Sequence, residues 1–169
     1  MSYQDILYEN RNGEPHYVAD YYVTIGKNGV DKFKEGDKKT PLGVYHVTDN
    51  LPRSKLADLY GSGAYPISYP NEFDKREGRG GKGIWLHGVP TDTYSRPPRA
   101  SDGCIVLSMH RMNKVLSIAT SAVKRSSCTS SISRVISTLM TACMRSMLRA
   151  LRIAWNSGKV IEARFSGSR

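Results

Sequence analysis

His87-Gly88 stands seventeen positions before Cys104, which closes the run Ser101-Asp102-Gly103-Cys104. These residue types suit covalent chemistry on an acyl group. A thiol is only a few per cent ionised at neutral pH, so it becomes a useful nucleophile beside an imidazole or in strong positive potential. His87 would supply the base and Cys104 the attacking sulfur. Gly103 lets an acyl group approach the main chain and tolerates a turn with positive φ. Backbone donors around Gly103 and Cys104 could stabilise the oxyanion that develops on a carbonyl under attack. Asp102 has three readings: it orients the base, holds the turn by accepting backbone hydrogen bonds, or repels an anion. An isolated His and Cys would more simply be a satisfied polar group and an apolar filler. Gly88 after the histidine and Gly103 before the cysteine weigh toward chemistry.

Two short strands must position this pair. Gly83-Ile84-Trp85-Leu86-His87 reads as a buried strand ending at a glycine, and Ile105-Val106-Leu107 as a second one leading away from Cys104. Between them runs an excursion with Pro90, Pro97 and Pro98 that can return the chain to the neighbourhood of His87. Upstream, Tyr17, Ala19, Tyr21, Val23 and Ile25 alternate in the manner of a strand with one buried face. Asn12-Gly13 is a hairpin signal that pairs this strand with Ile6-Leu7-Tyr8. Val44-Tyr45-His46-Val47 reads as another strand, and residues 54–59 as one or two helical turns. Residues 74–82 are charged and contain Gly78, Gly80 and Gly81, which reads as a mobile loop beside the His87 strand. They lack the Gly-Lys-Ser/Thr ending of a phosphate loop. The expected fold is mainly β, a sandwich or irregular barrel with short helices; a parallel α/β sheet lacks the helices that would separate its strands.

Together these residues resemble the L,D-transpeptidase catalytic-domain family of bacterial cell-wall enzymes. His87-Gly88, a variable stretch and Ser101-Asp102-Gly103-Cys104 match its signature, and Thr40-Pro41-Leu42-Gly43-Val44-Tyr45 resembles its Thr-Pro-x-Gly-x-aromatic segment. Gly36-Asp37 precedes that segment, and Ile67-Ser68-Tyr69-Pro70-Asn71 resembles a stretch found in one branch, where aspartate is common at the position of Asp102. Val106 stands where many members carry a polar residue. The resemblance covers residues 6–108 and implies that His87 is the general base and Cys104 the acyl-accepting nucleophile. Gly103, Asp102 and Gly88 fall to oxyanion stabilisation or orientation. By the same resemblance, Cys104 attacks the carbonyl after the third residue of a peptidoglycan stem tetrapeptide and expels D-alanine. The thioester passes to the side-chain amine of another stem, giving a cross-link, or to water, giving L,D-carboxypeptidase action. No metal or organic cofactor is implied. Tyr69, Trp85 and Tyr94 are candidates to line the substrate groove, and Arg96 and Arg99 to meet stem-peptide carboxylates. A catalytically silent peptidoglycan-binding module is the alternative.

Composition changes abruptly after the active-site segment. The chain has 169 residues and a formal net charge of +10. Residues 1–104 hold 14 Lys/Arg and 14 Asp/Glu, whereas residues 105–169 hold 11 Lys/Arg and 1 Asp/Glu, so the tail carries the whole excess. The expected organisation is therefore a main part of the catalytic domain at 1–108 and a basic segment at 109–169. A changed reading frame beginning near Met109, or a lineage-specific extension, would account for the break. Apolar residues at helical spacing over residues 132–153 predict a helix that packs on the domain or lies on an anionic envelope surface, and polar and basic interruptions exclude a transmembrane segment. Residues 159–165 read as a final strand. The family's usual acidic helix and closing strand match this tail poorly, and loss of the closing strand would leave a core edge bare or the Cys104 loop unsupported. The basic tail lacks zinc-finger spacing or a base-reading motif, which argues against specific nucleic-acid binding. Cys104, Cys128 and Cys143 form an odd set with no metal spacing and no disulfide framework. The N-terminus shows no secretory signal, although the family resemblance implies the periplasm or cell envelope; a cytoplasmic product is the alternative.

Overall fold

The computed structural model describes residues 4–11, 14–108, 110, 112–113, 150–154 and 159–164. The described part is mainly β. Its strands are β1 (Gln4–Arg11), β2 (Glu14–Gly26), β3 (Gly43–His46), β4 (Leu51–Pro52), β5 (Gly63–Pro66), β6 (Trp85–His87), β7 (Arg99–Ser101), β8 (Ile105–Leu107), β9 (Ala150–Ala154) and β10 (Lys159–Arg164). Helical backbone is found in α1 (Glu72–Arg76) and at His110, Met112 and Asn113, and two single 3-10 turns occupy Arg53–Lys55 and Asp58–Tyr60. They form one mixed sheet in the order β3-β9-β10-β1-β2-β8-β6-β5-β4, with β7 pairing β2 beside that path.

The alternating pattern in β2 does what its period demands. Tyr21, Val23 and Ile25 are buried, while Tyr17 is 59% exposed at the distal end of the strand. β1 and β2 pair antiparallel, with a register shift between Leu7 and Tyr8. Beyond Asn12-Gly13, β2 is long enough to serve three neighbours: β1 along its first half, then β8 at Val23 and Thr24 and β7 at Ile25 and Gly26. The core gathers Leu7, Tyr21, Ile25, Tyr45, Tyr65, Leu86, Ile105, Leu107 and Met112. Removing each such aliphatic side chain from water contributes about 1.5–3 kcal/mol.

Two expectations are corrected here. Residues 74–76 belong to α1 rather than to a loop, because Asn71 and Asp74 form a reciprocal capping box that closes both ends of the first turn. The predicted helix at 132–153 ends in a strand: residues 150–153 lie in β9, where pairing with β3 and β10 takes precedence over local helical periodicity; residues 132–149 lie outside the described residues. The final strand at 159–164 is present as β10 and pairs antiparallel with β1. The β1 and β3 edges are therefore covered by β10 and β9. Among the described residues no helix is long and apolar enough to cross a membrane.

Candidate active site

The two motif segments meet because β6 and β8 are adjacent parallel strands, with Leu86 opposite Ile105 and His87 opposite Val106. This register sets the histidine at the C-terminal end of one strand and the cysteine at the entrance to its neighbour. The connection returns through the proline-rich excursion, which is tied down along its length. Asp58 accepts from the Thr91 amide, Tyr22 and Thr24 donate to the Arg96 carbonyl, and the Ile25 amide donates to the Pro98 carbonyl.

His87 is 4% exposed. Its Nδ1 lies 2.6 Å from the Gly88 carbonyl oxygen; a carbonyl can only accept, so that hydrogen bond puts the proton on Nδ1 and leaves Nε2 as the basic nitrogen. Burial pushes the ring down to about 4, the Gly88 contact opposes the shift, and the Arg96 charge adds to it. The imidazole is thus neutral at physiological pH, the form a general base needs. Tyr60 meets the ring edge-on at 5.1 Å and also packs 4.9 Å from Trp85, bracketing that end of β6.

Cys104 is half-buried, with Sγ 3.5 Å from the Gly83 carbonyl. Burial pushes the thiol up; the Trp85 amide and the charges of Lys32 and Arg96 work against the rise, and Asp102 adds to it. The resting pair is therefore a thiol and a neutral imidazole rather than a preformed ion pair. Alkylation of Cys104 by iodoacetamide, followed by mass spectrometry of its peptide, should accelerate only above the ordinary thiol range near about 8.5. A plateau already reached at neutral pH would contradict that resting state.

The turn before Cys104 is held by Ser101 rather than Asp102. Ser101 Oγ donates to the Cys104 carbonyl at 2.6 Å and accepts from the Gly103 amide at 3.2 Å. The Gly103 N–H is thus engaged within the turn, which leaves the Cys104 N–H as the candidate oxyanion donor. Asp102 points outward to an exposed ion pair with Lys27 at 2.9 Å; that contact lowers its carboxyl, and screening by water keeps the pair's stabilising effect small. Gly103 has φ +127°, and a Cβ there would stand 2.9 Å from the Lys39 carbonyl oxygen and 3.0 Å from Ile84 Cδ1. Gly103→Ala is expected to cost about 2–4 kcal/mol from backbone strain and overpacking, read as a shift of the urea midpoint. An unchanged midpoint would show that the turn relaxes freely.

The remaining sequence candidates divide. Trp85 is half-buried at the start of β6, and the Arg96 charge reaches His87, Cys104 and Asp102 alike. Gly88 is buried and gives its carbonyl to His87. Tyr94 is 84% exposed. Arg99 is exposed on β7, its guanidinium near the Gly29 turn. Tyr69 departs from its expected place in the groove: its ring is buried against Tyr45, and its hydroxyl donates to the Gly80 carbonyl at 3.0 Å. A tyrosine in the core needs a partner for its hydroxyl, and the glycine-rich loop supplies one.

Three supporting residues went unassigned in the sequence. Thr40 is fully buried against the Cys104 turn, Ser101 ties that turn together, and Lys32 is buried with its ammonium 2.8 Å from Asp37. Burial raises the Asp37 carboxyl, but Lys32 and the amides of Phe33, Lys34 and Lys39 outweigh it and hold the group well below the usual carboxylate range. The signal was present in Gly36-Asp37 ahead of Thr40-Pro41; what it lacked was the partner.

The L,D-transpeptidase catalytic domain model of the YkuD family matches residues 2–126. No curated protein matches the chain. Among solved structures, Bd1075 of Bdellovibrio bacteriovorus is 36% identical over 68% of this chain and 39% of its own, with a TM-score of 0.54. The helical cell shape determining protein Pgp2 of Campylobacter jejuni, as a lysine-to-alanine variant, is 31% identical over 67% of this chain and 38% of its own, with a TM-score of 0.59. A second Pgp2 structure is 27% identical over 69% of this chain and 46% of its own, with a TM-score of 0.58. The chain spans less than half the length of each of these proteins.

Proposed function

The chain belongs to the YkuD L,D-transpeptidase catalytic-domain family, and from that membership we propose a cysteine-dependent L,D-transpeptidase acting on peptidoglycan stem peptides in the cell envelope. The observation that supports this reading is the parallel pairing of β6 and β8, which sets the strand carrying the buried, neutral His87 imidazole directly beside the strand that Cys104 leads into.

The reaction follows from the resting charges. Because neither group is ionised at rest, proton transfer from Cys104 to His87 accompanies attack instead of preceding it. Sγ bonds to the carbonyl carbon after the third residue of the stem, and the Cys104 amide meets the oxyanion. Collapse breaks the C–N bond to terminal D-alanine, which leaves with the proton held on His87. A side-chain amine of a second stem, or water, then attacks the thioester and restores the thiol. Arg96 favours the thiolate and disfavours imidazolium, so it helps the sulfur more than the base; a stem carboxylate is the group it would meet on the substrate. Editing of cross-links in this way would bear on cell shape, the property for which Pgp2 is named.

Incubation of the protein with purified stem tetrapeptide and mass spectrometry of the intact chain tests the proposal. A tripeptide adduct on Cys104 with release of D-alanine is expected. Reversible binding with no adduct and no released D-alanine would instead identify a silent peptidoglycan-binding module.

A further inference from the structure

Thr40 joins two backbone segments that are distant in sequence. Its hydroxyl accepts from the Gly26 amide at 2.9 Å, at the end of β2, and lies 2.9 Å from the Gly103 carbonyl. The side chain is fully buried, and the Thr40 amide is itself anchored on the Gly29 carbonyl at 3.0 Å. A hydroxyl has a single proton to donate. With the Gly26 N–H on one lone pair, that proton goes to Gly103.

The Gly103 carbonyl and the Cys104 N–H are two ends of one planar peptide unit, and in a trans peptide they point to opposite sides. Holding the carbonyl therefore aims the amide. Such a hold matters at this position because Gly103 has no side chain and a φ of +127°, which leaves the plane free to swing unless something grips it. Ser101 grips the neighbouring groups, the Gly103 amide and the Cys104 carbonyl. Thr40 acts on the plane between them.

We propose that Thr40 is a positioning residue that orients the Cys104 amide toward the oxyanion formed when Cys104 attacks a carbonyl. This rests on Cys104 being the nucleophile, as proposed above; Thr40 itself touches no reacting atom. The consequence is specific to acyl chemistry. Alkylation of the thiol passes through no oxyanion and is indifferent to where the Cys104 amide points.

The test compares the wild type with Thr40→Val and Thr40→Ser, using two reagents that are not peptidoglycan fragments, each read at the Cys104 peptide by mass spectrometry. With iodoacetamide, the thiolate displaces iodide and a C–S bond forms directly. With p-nitrophenyl acetate, the thiol proton passes to His87, Sγ bonds to the carbonyl carbon, and the oxyanion collapses with cleavage of the C–O bond to release nitrophenolate. Thr40→Val is expected to slow acylation by roughly 10-fold or more, below the roughly 10²–10³-fold cost of deleting an oxyanion donor outright. Its alkylation should stay at the wild-type rate, and Thr40→Ser, which keeps the hydroxyl, should keep both rates. Equal slowing of both reactions in Thr40→Val would overturn the assignment in favour of a loosened turn, as would unchanged acylation. If the valine variant does not fold, the serine variant decides: acylation at the wild-type rate supports the assignment, and selective loss of acylation overturns it. A wild type that reacts with the ester but ignores stem tetrapeptide would refute the L,D-transpeptidase reading and leave the role of Thr40 standing.

Discussion

Cys104→Ser should fold like the parent and form no detectable acyl-enzyme with stem tetrapeptide, a loss on the order of 10⁴-fold or more, as when other acyl-transfer enzymes lose their nucleophile. The fold should survive because the contact of Sγ with the Gly83 carbonyl is long, 3.5 Å, and a serine hydroxyl can make the same bond better. Chemistry fails for two reasons. An alcohol holds its proton far more tightly than a thiol, and an imidazole whose proton affinity has been pushed down to about 4 is too weak a base to remove it. Intact-protein mass spectrometry after prolonged incubation checks this, with circular dichroism for the fold. A serine-linked adduct formed at a comparable rate would mean that the site activates hydroxyls by a means other than His87.

The second large effect is at His87. His87→Gln should slow acylation by about 10²–10⁴-fold, the usual contribution of a general base. Glutamine is preferable to alanine here, because the ring is buried beside Tyr60 and its removal would open a cavity with a stability cost of its own. The same substitution alters the response to acid. A histidine near 6.5 in the unfolded chain and near 4 in the folded one binds more protons when unfolded between those values. Its contribution is fully present above pH 6.5, declines as pH falls toward 4, and amounts to at most about 3 kcal/mol. The wild type should therefore lose urea resistance across that window, and His87→Gln should not. Asp37 acts in a separate window: its carboxyl is held low by Lys32 and three amides, so that contribution is lost only as pH falls below the ordinary carboxylate range. Acid sensitivity between pH 6.5 and 4 that persists in His87→Gln would place the titrating group elsewhere.

The alternation in residues 17–25, the Asn12-Gly13 turn and the short apolar runs ending at His87 and following Cys104 were enough to read a β-rich chain from the sequence. Local period and turn chemistry act within a few residues, so they are legible without a fold. Capping at Asn71 and Asp74 follows the same local logic, and it outweighs the charged, glycine-containing composition that makes residues 74–82 look like a loop. The strand at 150–154 could not have been read in this way. Its helical spacing is a local preference, and only the edges offered by β3 and β10 override it.

By itself the sequence determined which groups could do chemistry: one imidazole and one thiol, each set against a glycine, in an order that resembles a single family of acyltransferases. Tertiary structure decided how those groups behave. Burial on β6 keeps the His87 imidazole neutral, the Cys104 turn is held by Ser101 and Thr40 rather than by Asp102, and Tyr69 is taken into the core. The physical reason is that residue type fixes a group's intrinsic proton affinity and bonding capacity. Desolvation and hydrogen-bond partners, which set the working values, come from segments that meet only in the folded chain.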